Sequence, residues 1–278
     1  MNGIYVLGTG YVGQAFARRG VQPVSRIDID YTNRNVFRAF LRDRMVSTII
    51  NAAGFTGGAS VDGCEGKWKE TIAANIVLPA MLSEVCKDEG VRFVHVSSGC
   101  IYQGRRPDGG GWKETDTPNF HGSLYSRTKA LAEPLVDGYV LRMRMPFGGV
   151  PHPRNLLTKL LNYLRIVGGE NSVTSLEDFV DATFAILKYG TPGVYNVTNR
   201  GTITTLQIVE LVNRYKEWHP EWFTREEFDA VVPTPRSFCV LDTDKLEALY
   251  QMPLAKVAVE QSVKQLLEGK CACPAIHA

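Results

Sequence analysis

Ile4-Tyr5-Val6-Leu7-Gly8-Thr9-Gly10-Tyr11-Val12-Gly13 is the stretch from which the rest of the chain can be read. Four apolar residues form a short strand. The glycines at 8, 10 and 13 then turn the chain into a helix that carries Val12, Phe16 and Ala17 on one face. In such a strand–turn–helix the first glycine permits the tight turn. The second lets backbone approach a pyrophosphate, and the third lets the helix pack on the strand. The helix N-terminus offers free N–H groups to the phosphate. Gly8, Thr9, Gly10, Tyr11, Val12 and Gly13 are therefore expected to hold a dinucleotide; an ordinary tight turn is the alternative.

The same alternation continues outward from this turn. Gly20 ends the helix, and residues 21–29 read as a second strand. Asn33 can cap a helix that runs to Arg42, and Val46-Ser47-Thr48-Ile49-Ile50 is a third strand. A helix is expected over 68–89, kinked by Pro79, followed by an apolar strand ending at Val96. Strands alternating with helices imply a parallel sheet with helices on both faces, an α/β Rossmann-type doubly wound fold. Ligands of such sheets sit beyond the carboxyl ends of the strands. A long Gly/Pro/Asp-rich loop spans 104–121, and a loop of that length is either functional or disordered. Another strand covers 139–144. After Pro146 the alternation loosens: helices over 156–164 and Leu176–Tyr189, a strand over 193–197, and a mostly helical remainder with an irregular insert at 233–242. This divides the chain into a dinucleotide-binding domain, 1–146, and a smaller, mostly helical substrate lobe, 147–278. The boundary is soft, and late segments are free to return to the sheet.

Composition narrows the function classes. The 278 residues are 44% hydrophobic and 22% charged, with a net charge of +2. That balance points to neither nucleic acid nor a membrane surface. No apolar run reaches the roughly 18 residues a spanning helix needs, and the N-terminus starts a strand where a secretory signal would lie. Six scattered cysteines fit a reducing compartment, the cytoplasm. Cys271-Ala272-Cys273 lacks a second ligand pair, so no metal is expected.

The second strand bears on the cofactor. An acid at its end would accept the ribose hydroxyls of NAD, and Asp28 fills that place if the strand runs long. Ser25 and Arg26, with Asp30 nearby, instead suit the extra phosphate of NADP. NADPH is the preferred reading and NADH the alternative. Asn51, Ala52 and Ala53, followed by Gly54, place small residues at a strand end where adenosine can lie against backbone.

Chemistry is suggested by three residues. Ser98 ends the strand before Gly99, and Tyr125 and Lys129 are four apart on one helix face. A cation near a phenol makes it a better proton donor and acceptor, and Ser98 can bond the same carbonyl oxygen. Downstream of a dinucleotide turn these residues suggest carbonyl–alcohol redox; a surface i,i+4 pair is the alternative. Asn75, polar in an apolar helix, is either a support of the substrate site or an amide satisfied within the helix. His95 reads as a satisfied core histidine, and Trp218, Trp222 and Phe223 as packing of the small lobe.

Together the glycine turn, Asn51-Ala52-Ala53-Gly54, Ser98 and the Tyr125/Lys129 pair resemble the extended short-chain dehydrogenase/reductases. Runs 51–57, 99–102, 114–120, 125–130, 141–146, 153–159 and 193–199 resemble more closely the nucleotide-rhamnose synthases, bifunctional UDP-4-keto-6-deoxyglucose 3,5-epimerase/4-reductases of plants and some large viruses. The resemblance implies an NADPH-dependent enzyme that converts UDP-4-keto-6-deoxy-D-glucose to UDP-L-rhamnose. Cys100 and Lys159 would invert C3 and C5. Tyr125 would protonate the reduced C4 oxygen, with Ser98 bonding it and Lys129 on the nicotinamide ribose. A thiolate base needs a nearby cation, and Lys159, Lys129 or the cofactor is expected to supply it. The alternative for Cys100 is a small buried hydrophobe. Arg154, Asn155 and Arg236 would face the nucleotide sugar, the arginines gripping pyrophosphate unless they form structural ion pairs. Superfamily analogy implies a homodimer. Two rivals stay open: a monofunctional nucleotide-4-keto-sugar reductase, and a non-catalytic NADPH-binding regulatory subunit.

Overall fold

The computed structural model describes residues 3–58 and 60–269; Cys271 and Cys273 lie outside them. Five βα-type repeats build one six-stranded parallel sheet. In chain order come β1 (Ile4–Leu7), α1 (Tyr11–Arg18), β2 (Gln22–Val24), α2 (Arg34–Asp43), β3 (Thr48–Asn51), α3 (Trp68–Ile72), α4 (Leu78–Asp88), β4 (Arg92–Ser98), α5 (Leu124–Ala132) and β5 (Tyr139–Met143). Three two-strand ladders lie in the C-terminal half: β6 (Pro146–Phe147) with β9 (Thr174–Ser175), β7 (Arg165–Val167) with β12 (Glu221–Phe223), and β8 (Glu170–Asn171) with β11 (Ile203–Thr204). The helices there are α6 (Leu156–Leu161), α7 (Leu176–Tyr189), α8 (Thr205–Asn213), α9 (Arg225–Val231), α10 (Asp244–Glu247) and α11 (Ala255–Glu268). The last sheet strand, β10 (Gly193–Asn196), pairs with β5.

The sheet order is β10-β5-β4-β3-β1-β2. The chain starts in the sheet at β1, adds β2 on one side and β3 on the other, and so creates a switch point at the carboxyl end of β1. Successive residues of the central strands feed opposite cores. Val6, Ile50 and Val94 pack with Phe16 of α1 and Phe179 of α7. Their neighbours Leu7, Ile49 and Phe93 pack with Phe37 of α2 and Leu82 and Val85 of α4. A strand buried on both faces must be apolar throughout, which is why these runs do not alternate. A separate core joins α6, α8 and α11 through Leu157, Ile208, Leu211, Val259 and Val263.

Four local expectations need correction. First, β2 stops at Val24. The Asp28 carboxylate accepts the Ser25 N–H at 2.7 Å, and Ser25 Oγ accepts from Ile27 and Asp28. Side chains thus take over the backbone donors, and a turn replaces the strand. Second, the helix over 68–89 runs on to Asp88 but contains a π-helical turn, Ala73–Val77, just before Pro79. Pro79 directly follows that turn, at the start of α4. Third, the helix after Asn155 ends at Leu161. Fourth, His95 is only half satisfied: Nδ1 meets Asn51 Nδ2 at 3.2 Å, while Nε2 is buried without a partner among the described residues. Burial, aided by Lys129, pushes its pKa well below the usual range, so the ring is neutral.

The long loop 104–121 is ordered against the 233–242 insert. Gly104 bridges Cys239 and Trp112 bridges Leu241. The Trp112 ring stacks on Tyr102 with centroids 5.3 Å apart. Beneath them Arg142 pairs with Glu133 at 2.6 Å, both buried, and also donates to the Tyr102 hydroxyl at 3.0 Å.

Candidate active site

The turn after β1 has the shape a dinucleotide requires. Gly8 takes φ +97°, a left-handed conformation that glycine adopts without penalty. A Cβ on Gly13 would lie 1.8 Å from the Gly8 carbonyl oxygen, so only glycine lets α1 sit this close. A Cβ on Gly10 would meet nothing within 4 Å, which leaves an open face at the start of α1. No side chain caps that helix, and its first N–H groups point toward the open face. Tyr11 is different: its ring is buried and stacks on His152 at 4.4 Å, tying α1 to the C-terminal half.

Asp28 is spent on the Ser25 turn, and Asp30 accepts from Thr32. Arg26 stands exposed beside them at the end of β2. At the end of β3, Asn51 is fully buried, and its Oδ1 accepts the Ala53 N–H at 3.1 Å. Ala52 packs into the core. These residues therefore offer backbone and small side chains to a ligand. A Cβ on Gly54 would lie 3.9 Å from Lys129 Nζ, which places the ammonium beside this floor.

Ser98 closes β4, and its hydroxyl accepts the Cys100 N–H at 3.1 Å. It also hydrogen-bonds the Tyr125 hydroxyl. Tyr125 lies in the first turn of α5, capped by Ser123. Burial and then the Cys100 charge push the Tyr125 pKa up, and the Ser98 bond opposes them. Lys129 follows one turn later, but its ammonium donates to the Val96 carbonyl at 2.9 Å. Burial lowers its pKa to about 8, against the pull of Glu133. Lys129 thus lies one turn along α5 from Tyr125, with its ammonium anchored on the β4 backbone.

Cys100 sits in a short 3-10 turn, Gly99–Ile101, and its partner is one the sequence reading missed. Arg144 Nη1 donates to Cys100 Sγ at 2.9 Å. Nη2 donates to Asn171 Oδ1 at 2.7 Å and to the Ser237 carbonyl. Arg144 leaves the end of β5 just before Met145, whose φ of +43° is a rare left-handed turn for a side-chain-bearing residue. A signal was present in Leu141-Arg142-Met143-Arg144: two arginines on one face of an otherwise buried strand need partners. Arg142 finds Glu133, and Arg144 finds Cys100 and Cys239.

Lys159 lies half-buried in α6. Burial lowers its pKa, helped by Arg154 and Arg236. Arg154 donates to Thr56 and to the Gly58 carbonyl, bridging the two halves. Of the other residues expected to face substrate, Asn155 and Arg236 are engaged within the protein. Asn155 is fully buried: it caps α6 and donates to the Gly148 and Val150 carbonyls at 2.7 and 2.9 Å. Asn75 is equally buried and clamps both backbone groups of Phe55. Asn75 lies within the π-helical turn. Arg236 is held by the Asp62 carboxylate at 2.8 and 2.5 Å, a structural ion pair across the cleft.

The family described as RmlD substrate binding domain matches residues 2–269. The chain belongs to the RmlD substrate-binding family. Among its relatives is the Arabidopsis thaliana bifunctional dTDP-4-dehydrorhamnose 3,5-epimerase/dTDP-4-dehydrorhamnose reductase, 38% identical over 72% of this chain and 70% of that protein. A trifunctional UDP-glucose 4,6-dehydratase/UDP-4-keto-6-deoxy-D-glucose 3,5-epimerase/UDP-4-keto-L-rhamnose-reductase of the same plant is also 38% identical. The match spans only 31% of that longer protein. Among solved structures, the L780 UDP-rhamnose synthase of Acanthamoeba polyphaga mimivirus superposes with a TM-score of 0.87 at 26% identity, covering 94% of this chain and 99% of that one. Membership of the RmlD family agrees with the six-stranded parallel sheet and its switch-point cleft.

Proposed function

We propose that the chain is an NADPH-dependent enzyme of nucleotide-sugar metabolism that inverts a UDP-linked 4-keto-6-deoxyhexose at C3 and C5 and reduces it at C4. The carrying observation is that Cys100 shares one site with the reductase set: its N–H is bonded to the Ser98 hydroxyl, which also hydrogen-bonds Tyr125. The names of the Arabidopsis and mimivirus relatives support this reading. The Ser25 turn, with Arg26 exposed and Asp28 already engaged, supports NADPH over NADH.

A 4-keto group acidifies the hydrogens on both neighbouring carbons. Cys100 takes a proton from one face of such a carbon and becomes a thiol. The electron pair moves onto the C4 oxygen, where the Ser98 and Tyr125 hydroxyls stabilise it. Lys159 returns a proton on the opposite face as the electron pair falls back to carbon, and the carbon is inverted. Cys100 then releases its proton to solvent and Lys159 regains one before the second carbon is inverted. When bound, NADPH supplies the hydride for C4. Tyr125 then gives its proton to the same oxygen, and Ser98 holds that oxygen in line. One site serves both steps because both gather negative charge on one atom.

The test is to mix the protein with UDP-4-keto-6-deoxyglucose and NADPH in heavy water. Cofactor oxidation with deuterium at C3 and C5 of the product is expected. Oxidation of a pre-inverted sugar without exchange would identify a monofunctional reductase. NADPH binding with neither activity would leave a regulatory subunit.

A further inference from the structure

The Cys100 cluster holds a charge that needs an answer. Arg144 is 4% exposed and a guanidinium does not give up its proton in a protein, so a cation is buried at the end of β5. A buried cation is tolerated when paired and hydrogen-bonded; here Nη1 and Nη2 are bonded, while Nε has no hydrogen-bond partner among the described residues. The ionisable groups acting on Arg144, beyond its burial, are two thiols, Cys100 and Cys239. They are not equivalent. Cys239 is 1% exposed, and its Sγ donates to the Gly99 carbonyl at 3.2 Å, which requires that it keep its hydrogen. Cys100 Sγ instead accepts from Arg144 Nη1 at 2.9 Å and is partly open to the cleft.

We propose that Arg144 is a positioning residue for the epimerisation step, holding Cys100 as the thiolate and aiming its sulfur. The Asn171 and Ser237 bonds fix the guanidinium fork, and its backbone N–H is held by Thr174 Oγ1 at 2.9 Å. The cation therefore stays in place while the proton moves. Gly99 completes the arrangement: a Cβ there would lie 2.6 Å from Leu241 Cδ1, so the turn carrying Cys100 can press under the 233–242 insert. Two consequences follow. Cys100 starts as the base, and the group across the ring starts as the acid. The insert, through Ser237, helps set the thiolate.

This assignment rests on the epimerase reading, and its test has a part that does not. Iodoacetamide alkylation of Cys100 at pH 7, read by peptide mass, reports thiolate without substrate. Arg144→Gln should alkylate at least about tenfold more slowly than the unmodified protein, and Arg144→Lys should fall between them, because a point charge replaces the fork. NADPH binding in each variant shows that the fold survives. Equal alkylation rates in Arg144→Gln and the unmodified protein overturn the proposal. If Arg144→Gln does not fold, Arg144→Lys decides: slowed alkylation supports the assignment and an unchanged rate overturns it. Deuterium wash-in at C3 and C5 should fall in the same order. Absence of wash-in in the unmodified protein overturns the epimerase reading, while the alkylation order still decides the role of Arg144.

Discussion

The glycine turn after β1 and the thiol cluster after β4 both lie at the carboxyl end of one sheet, yet they are made of different material. The turn is backbone: three glycines within six residues, an uncapped helix start, and no side chain that must be aimed. The cluster is side chain. Cys100, Asn171 and Ser237 converge on Arg144 from 44, 27 and 93 residues away. A site made of backbone is vulnerable to added volume. One made of side chains is vulnerable to the loss of single groups.

The sharpest way to break this contrast is to separate the two chemical steps. Cys100→Ala should lower deuterium wash-in by about 10²–10⁴ while NADPH still binds. Tyr125→Phe should lower NADPH oxidation by a similar factor and wash-in by much less, since Ser98 still bonds the C4 oxygen and Cys100 keeps Arg144. Loss of both signals in either variant would mean that the steps do not divide as assigned.

A smaller effect tests the backbone side. Gly13→Ala forces a methyl to within 1.8 Å of the Gly8 carbonyl, so α1 must shift. Weakening of NADPH binding by about 100-fold is expected, together with a lower melting temperature. Gly10→Ala has open space and should weaken NADPH binding while leaving the melting temperature nearly unchanged. Equal thermal effects in the two variants would sink the argument from close approach.

Lys129 provides a pH test. Its pKa is lowered to about 8 by burial, so between pH 8 and about 10.4 the unfolded chain binds more protons there than the folded protein. Stability must then rise with pH across that window. Relative to Lys129→Met, the unliganded protein should gain on the order of 2 kcal/mol between pH 8 and 10, read from urea unfolding. A flat difference would place Lys129 in contact with water. The smallest expected effect is at the exposed rim: Arg26→Ala should cut the preference for NADPH over NADH by about tenfold or less, since solvent screens that charge.

Much of the scaffold was legible because its causes are local. Apolar runs, the Gly8–Gly13 turn and the Asn33 cap each act within a few residues, and the cap forms as expected, accepting from Asn35 and Val36. The i,i+4 spacing likewise places Tyr125 and Lys129 on one helix. Legibility failed where a local signal competed with an unseen partner. The strand over 21–29 lost to the Ser25–Asp28 turn. Arg236 was drawn to Asp62, 174 residues away.

The sequence by itself determined the doubly wound α/β fold, the place of the dinucleotide turn and the residue types at the end of β4, because periodicity and glycine geometry operate over short stretches of chain. Only the tertiary structure decided which cation meets Cys100. A buried guanidinium takes whatever acceptors the fold brings within 3 Å, and here those come from a strand end, a distant loop and a thiol that spacing along the chain does not connect.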